Sequence, residues 1–500
     1  RAALVFCGWG GDPLRGGWRP WAGNSLRGLA VPIMATLRES GERKIPRSAG
    51  AALRYSEIVL VTVIETNNSP ARRAAQRGKR PKAKQALLGL MGLFLATAAC
   101  GGADIDEARQ MYLTGQYAEA ARVAEAEWRE KDYSEQWPLL VESLYALGRY
   151  GAAYEVLTNR LARESRSIRI RWIGREVCQA TGRPEEGAQL VKEIVDLVAA
   201  RPWAYRDVPE IVVFGRALLA VGTDPKLVLD RVYEVAKKSE PGAREPYLAI
   251  GELALDKHDF ALASHTFQEG ISKHPKDADL HYGLARAYER SETAQMLKSL
   301  QTALQHNSNH VASLLLLADH AIDAEEYGEA VRCLDRARSV NPAAPDAWAY
   351  VALIANLQNQ PDLERAAVKR ALEPWPNNPR VPYLVGRKLS QKYRFAEGAA
   401  LQRQALQFDP RFLPAKAQLA QDLLRLGDEP EGWRLAEQVH QEDGYNVTAL
   451  NLLALRDTLA GYRVLTNAYF VVRMPAEEAA VYGPRALELF DEARDRLCAK

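Results

Sequence analysis

His306 and His310 stand four residues apart, the spacing at which two imidazoles on one helix face can share a zinc ion. They lie in the polar stretch Gln305-His306-Asn307-Ser308-Asn309-His310, with no carboxylate between them, and read as turn surface. The five cysteines, Cys7, Cys100, Cys178, Cys333 and Cys498, are scattered, and no two have CxxC spacing. That pattern argues against both a zinc site and a disulfide framework. Cys178 and Cys333 fall on apolar helix faces, where a small thiol reads as buried. No HExxH, GxSxG, Walker A or dinucleotide GxGxxG string occurs. Carboxylate pairs such as Glu325-Glu326 and Glu477-Glu478 read as solvated surface. The sequence therefore predicts no catalytic residue, metal or cofactor.

The remaining chemistry is recognition, and its candidates depend on the elements that present them. The chain has 500 residues with 66 Lys and Arg against 63 Asp and Glu. This balance hides an asymmetry: residues 1–100 carry a net +11 and the other 400 a net −8. A mildly acidic folded part gives no support to nucleic-acid binding. From residue 104 onward the pattern turns regular. Small residues recur at Gly251, Ala285, Ala318, Ala352, Gly386, Ala420 and Ala454, in steps of 33 or 34. Other columns keep that register: Phe260, Tyr327 and Phe395; Ala263, Ala330, Gly398 and Gly432; Gly270, Ala303, Ala337, Ala371 and Ala405; Pro275, Pro342, Pro376 and Pro410. Upstream, Gly115-Gln116-Tyr117 and Gly148-Arg149-Tyr150 open similar units, while the spacing stretches around Gly182 and Gly222.

These columns resemble the tetratricopeptide repeat, a 34-residue helix–turn–helix unit. The resemblance implies an all-α fold, a right-handed α-α superhelix of about ten helix pairs over residues 103–465. One pair cannot bury both of its apolar faces, so neighbours stack and the core becomes continuous. The first helix of each pair should line a concave groove that takes a protein or peptide. Reading the inner-face offsets gives Tyr282, Arg286, Glu289, Asp319, Asn356, Tyr383, Arg387 and Gln421 as its lining. The Lys/Asn clamp with which some tetratricopeptide co-chaperones grip a C-terminal carboxylate is absent from the matching positions.

Both ends change character. Residues 1–76 read as a disordered or spurious leader. In 77–100 the basic cluster Arg77, Lys79, Arg80, Lys82 and Lys84 precedes 14 uncharged residues, Ala86 to Ala99. This is the form of a secretory signal. Cys100, directly after it, resembles a lipobox cysteine, implying an exported protein with an N-terminal lipid as its membrane attachment, although Thr97 stands where Leu is usual. After Leu465 the register stops. Asn467 to Met474 reads as a strand, Pro475 to Glu478 as a helix start, and Arg485–Ala499 as an amphipathic helix. Residues 466–500 therefore read as the start of a further α/β or α+β domain. The string from Phe470 to Leu497 resembles the segment that joins tetratricopeptide arrays to gluzincin, peptidase MA-like domains in exported bacterial proteins. That implies an alternative role as the non-catalytic part of a zinc metallopeptidase.

Overall fold

The computed structural model describes residues 105–131, 136–163 and 166–499. They divide into two compact units, residues 105–456 and 457–499. Residues 1–76, the signal-like segment and Cys100 lie outside the described residues.

The larger unit is a succession of helix pairs. α1 (Ile105–Leu113) pairs with α2 (Tyr117–Lys131), α3 (Gln136–Ala146) with α4 (Tyr150–Leu161), and α5 (Ile168–Ala180) with α6 (Pro184–Ala200). α7 (Val208–Ala220) faces a broken partner, α8 (Pro225–Val228) and α9 (Glu234–Ser239), joined by the π-helical turn Leu229–Tyr233. Then come α10 (Glu245–Asp256) with α11 (Phe260–Lys273), α12 (Ala278–Tyr288) with α13 (Thr293–His306), and α14 (Val311–Asp323) with α15 (Tyr327–Val340). α16 (Pro345–Leu357) pairs with α17 (Pro361–Ala371), α18 (Arg380–Gln391) with α19 (Phe395–Phe408), and α20 (Leu413–Leu426) with α21 (Glu429–Glu442). α22 (Val447–Ala460) follows them.

The small columns sit where helices touch. Gly251, Ala285, Ala318, Ala352, Gly386 and Ala420 are buried. Ala454 is exposed, because the chain turns to a hairpin after α22 instead of a second helix. Phe267 shows why two of these contacts need glycine. Its fully buried ring lies between α10 and α12, and a Cβ on Gly251 or Gly283 would come within 2.4 or 2.3 Å of it.

Curvature brings distant repeats together. Asn307 Nδ2 donates to Tyr117 Oη and Asn341 Nδ2 to Tyr150 Oη, each at 3.0 Å, and both asparagines are buried. Asn309 Nδ2 donates to the Gly115 carbonyl at 3.0 Å. One repeat further on, Pro184 and Trp375 occupy the tyrosine and asparagine positions, and Trp375 lies against Gly182. Beyond that, Lys257 pairs with Asp443 at 3.1 Å and Tyr445 Oη donates to Asp224 at 2.9 Å. The turns within the early pairs therefore meet the turns between the later pairs along one seam. Gly148 is doubly constrained there: it lies at φ +72°, and a Cβ would come 2.2 Å from Asn341 Oδ1. Gly148→Ala is expected to destabilise the array by about 1–3 kcal/mol, from left-handed strain plus overpacking. Denaturant titration against Gly222→Ala, where nothing crowds the new methyl, separates the two contributions.

The smaller unit is a hairpin and a helix. β1 (Tyr462–Thr466) and β2 (Val471–Pro475) are antiparallel, with Leu465 opposite Val472. Asn467 Oδ1 accepts from the Tyr469 and Phe470 amides and so shapes the turn. Two strands thus stand where the sequence reading placed one, and β1 falls in the stretch assigned to the array. α23 (Ala476–Cys498) runs unbroken through Pro484, although that residue lacks the N–H a helix interior uses. Leu465 packs onto Gly483, where a Cβ would lie 2.3 Å from its Cδ1.

Candidate functional site: the inner face and its cavity

The inner face is built by side chains that tie one first helix to the next. Arg244, at the start of α10, donates to Asp277 at 2.5 Å and to Asp279 at 2.7 Å. His310 occupies the N-cap position of α14, with Nε2 facing Asp279 Oδ1 at 3.0 Å and Nδ1 facing Ser313 Oγ at 2.7 Å. It is buried and held by hydrogen bonds, not turn surface as its polar neighbours suggested. His306 is the last residue of α13 and stacks with His281, so it sits in a helix, while His310 ends the turn that follows. Burial pushes the Asp279 carboxyl up, but the His310 hydrogen bond and the Arg244 charge outweigh it and hold it well below the usual range. Two repeats later, Arg380 grips Asp346 with two parallel bonds of 2.8 and 2.7 Å.

The residues singled out from the sequence divide into two sets. Tyr282 and Tyr383 stand on the inner face, each under the guanidinium four residues on, Arg286 or Arg387, at 5.9 and 6.0 Å. Their rings meet His310 and Phe412 edge-on. Asp319 is 6% exposed and consumed by structure. It accepts from Tyr350 Oη and from Lys388 Nζ, each at 2.7 Å, with Arg387 at 3.8 Å. Lys388 is itself 2% exposed and also reaches Asp323 at 2.9 Å. Asn356 points into its own helix pair, donating to Glu364 at 2.9 Å, and Gln421 donates to the carbonyl of Ala417 in its own helix. The structure brings Asp319, Tyr383 and Arg387 together with Tyr350 and Lys388, but leaves Asn356 outside this group.

At the inner edge of the seam the two rows of turns enclose a half-open cavity of 700 Å³. Tyr112, Tyr145, Asp279, Asp346, Arg380 and Trp375 are among its walls. Sequence reasoning missed it, because its two sides come from repeats almost 200 positions apart. A signal did exist: Tyr112 and Tyr117 recur as Tyr145 and Tyr150, and both pairs meet edge-on or tilted at 5.3 and 5.2 Å.

Three further features bear on chemistry. Cys178 and Cys333 are buried, and burial pushes both thiols up to about 11, so neither is nucleophilic near neutral pH. Among the described residues, no three His, Cys, Asp or Glu side chains are grouped to hold a metal ion, and no helix is long and apolar enough to cross a membrane. Asp422 is fully buried and has no ion-pair partner among the described residues, accepting from Ser390 Oγ at 2.8 Å and Gln418 Nε2 at 2.9 Å. Burial pushes its carboxyl up despite those two donors. Its folded form thus holds a proton more tightly than the unfolded chain, so stability falls as pH rises through the folded value. Asp422→Asn is expected to raise stability at pH 7 by about 1–3 kcal/mol. In pH-resolved denaturant melts the gain should vanish below about pH 4, where the carboxyl is protonated in both states.

A family model described as "Tetratricopeptide repeat" matches residues 248–295 and 315–379. Those two stretches carry tetratricopeptide repeats. No curated protein sequence matches it. Among solved structures it is similar to yeast Tom70, with 12% identity and a TM-score of 0.38 over 71% of this chain and 94% of that one. It is similar to PilF of Pseudomonas aeruginosa, with 15% identity and a TM-score of 0.28 over 43% of this chain and 99% of that one. It is also similar to YrrB, described as a tetratricopeptide protein with an unusual peptide-binding site, with 16% identity and a TM-score of 0.23 over 38% of this chain and 100% of that one. Tetratricopeptide domains bind protein or peptide partners.

Proposed function

We propose that residues 105–456 form a scaffold that holds a protein or peptide partner along the inner face and in the seam cavity. The observation that carries this reading is the cavity itself. It lies on the inner side of a tetratricopeptide array, and its walls mix aromatic rings with directed polar groups. The test is selection of a random displayed peptide library on the purified full chain. Enriched sequences whose binding is lost in Tyr145→Ala support the scaffold. A selection that enriches nothing, or only binders indifferent to that change, contradicts it.

Attachment to a membrane through a lipid on Cys100 of an exported chain rests on the sequence of residues 77–104 alone. Labelling with radioactive palmitate in a bacterial host should disappear in Cys100→Ser; unchanged labelling would remove that part. The hairpin and α23 leave Val464, Tyr482 and Leu497 exposed, which favours a second reading, an array that presents substrate to a gluzincin domain. If the reading frame extends past residue 500, absence of HExxH there would eliminate it.

A further inference from the structure

We propose that the seam cavity takes an extended peptide segment bearing arginine or lysine side chains. The inference deepens the scaffold reading and rests on it. Among the described residues that line the cavity are four carboxylates, Asp277, Asp279, Asp346 and Asp409, and one guanidinium, Arg380. Arg380 is spent on Asp346, and the single guanidinium of Arg244, with His310, serves both Asp277 and Asp279. Among the described residues, the Asp409 carboxylate has no ion-pair partner and accepts from the Arg411 amide at 2.9 Å. At the cavity lining, four carboxylates thus stand against the guanidiniums of Arg380 and Arg244 and the imidazole of His310.

The tyrosines add a second, independent observation. Tyr117 and Tyr150 have their hydroxyls engaged by the seam asparagines. The hydroxyls of Tyr112 and Tyr145, on the same wall, have no hydrogen-bond partner among the described residues. Burial raises both phenols, and neighbouring carboxylates raise them further: Glu142 and Asp279 for Tyr112, Glu176 and Asp346 for Tyr145. Arg109, Arg169 and Arg244 face Glu142, and Arg175 is the cation nearest Tyr145 in effect, so the wall is not uniformly acidic. A guanidinium or ammonium entering here would find aromatic faces at Tyr112, Tyr145 and Trp375, an unpaired carboxylate at Asp409, and hydroxyls free to accept. An acidic segment would meet Asp277, Asp279 and Asp409 instead, a juxtaposition of like charges that disfavours it.

The experiment titrates the full chain with three fluorescein-labelled octapeptides of alternating Gly-Arg, Gly-Glu and Gly-Ser, read by anisotropy. The arginine peptide is expected to bind, to weaken as salt rises, and to lose affinity by about fivefold in Tyr145→Phe and in Asp409→Asn, each of which removes one interaction. Phe keeps the Tyr145 ring against Tyr150, and Asn keeps an Oδ1 that accepts from the Arg411 amide, so the melting curves of both variants should match the parent. Glu240→Gln, an exposed carboxylate away from the cavity, should leave affinity unchanged. Equal weakening in Glu240→Gln, or indifference to both cavity variants, would overturn the proposal. Cavity-dependent binding of the Gly-Glu or Gly-Ser peptide would overturn the ligand class and leave the scaffold standing. Failure of all three peptides together with an empty library selection would take down both.

Discussion

Lys388→Met is expected to destabilise the array by about 3–5 kcal/mol, because it strips the cation from a buried carboxylate. Lys388 reaches from α18 past α16 to Asp319 and Asp323 on α14. The span is 69 positions, two repeats, and small residues on α16, Ala349 and Ala352 among them, are fully buried between the outer helices. Removing the ammonium leaves Asp319 with only the Tyr350 hydroxyl as a strong donor. Asp323 is half-exposed and can take water, so the loss falls mainly on Asp319. The double variant Asp319→Leu with Lys388→Met should recover most of the loss, since an apolar pair of similar volume needs no compensating charge. Denaturant melts of the four proteins in this cycle measure the effect. A single-variant loss below 1 kcal/mol would mean that the two groups do not meet.

Phe267→Ala is the second large loss, again about 3–5 kcal/mol, from a cavity in the tightest part of the core. The ring is fully buried against two glycines, so few neighbouring side chains can collapse into the gap. The converse change is equally informative. Gly251→Ala should cost about 1–3 kcal/mol by overpacking the ring. Combined with Phe267→Leu it should cost less than either change alone, because Ala285 with Leu300 and Ala318 with Leu334 are the combinations at the corresponding positions of the next two repeats. Circular dichroism during urea unfolding reads all three.

The periodicity that carries the fold is local. A 34-residue interval of small residues follows from helix geometry and from the need to stack neighbours, so helix pairing was legible from spacing alone. The tertiary register was not. Nothing in the spacing says that Tyr117 will find Asn307, because that depends on a small rotation per repeat summed over several repeats. Asp319 illustrates the limit from the other side. Its place on the inner face was readable, but whether it greets a ligand or a lysine depended on Lys388, whose type and position carry no periodic signal. His310 followed the same logic: a polar neighbourhood suggested surface, and the partner that buries it, Asp279, belongs to the preceding repeat. In the smaller unit, Tyr462-Arg463-Val464-Leu465-Thr466 carries the β-branched and apolar types of a strand, but it directly follows a helix in register and was absorbed into the array.

The early and late turns of the superhelix meet along the seam. Spin labels at Gln116 and Ser308, both exposed and flanking the Tyr117–Asn307 contact, test this directly in a background with the native cysteines replaced. Pulsed dipolar spectroscopy should return a narrow distribution centred below about 20 Å, within two helix diameters. A broad distribution, or one centred beyond about 30 Å, three helix diameters, would mean that the turns do not touch and that neither seam nor cavity exists in solution.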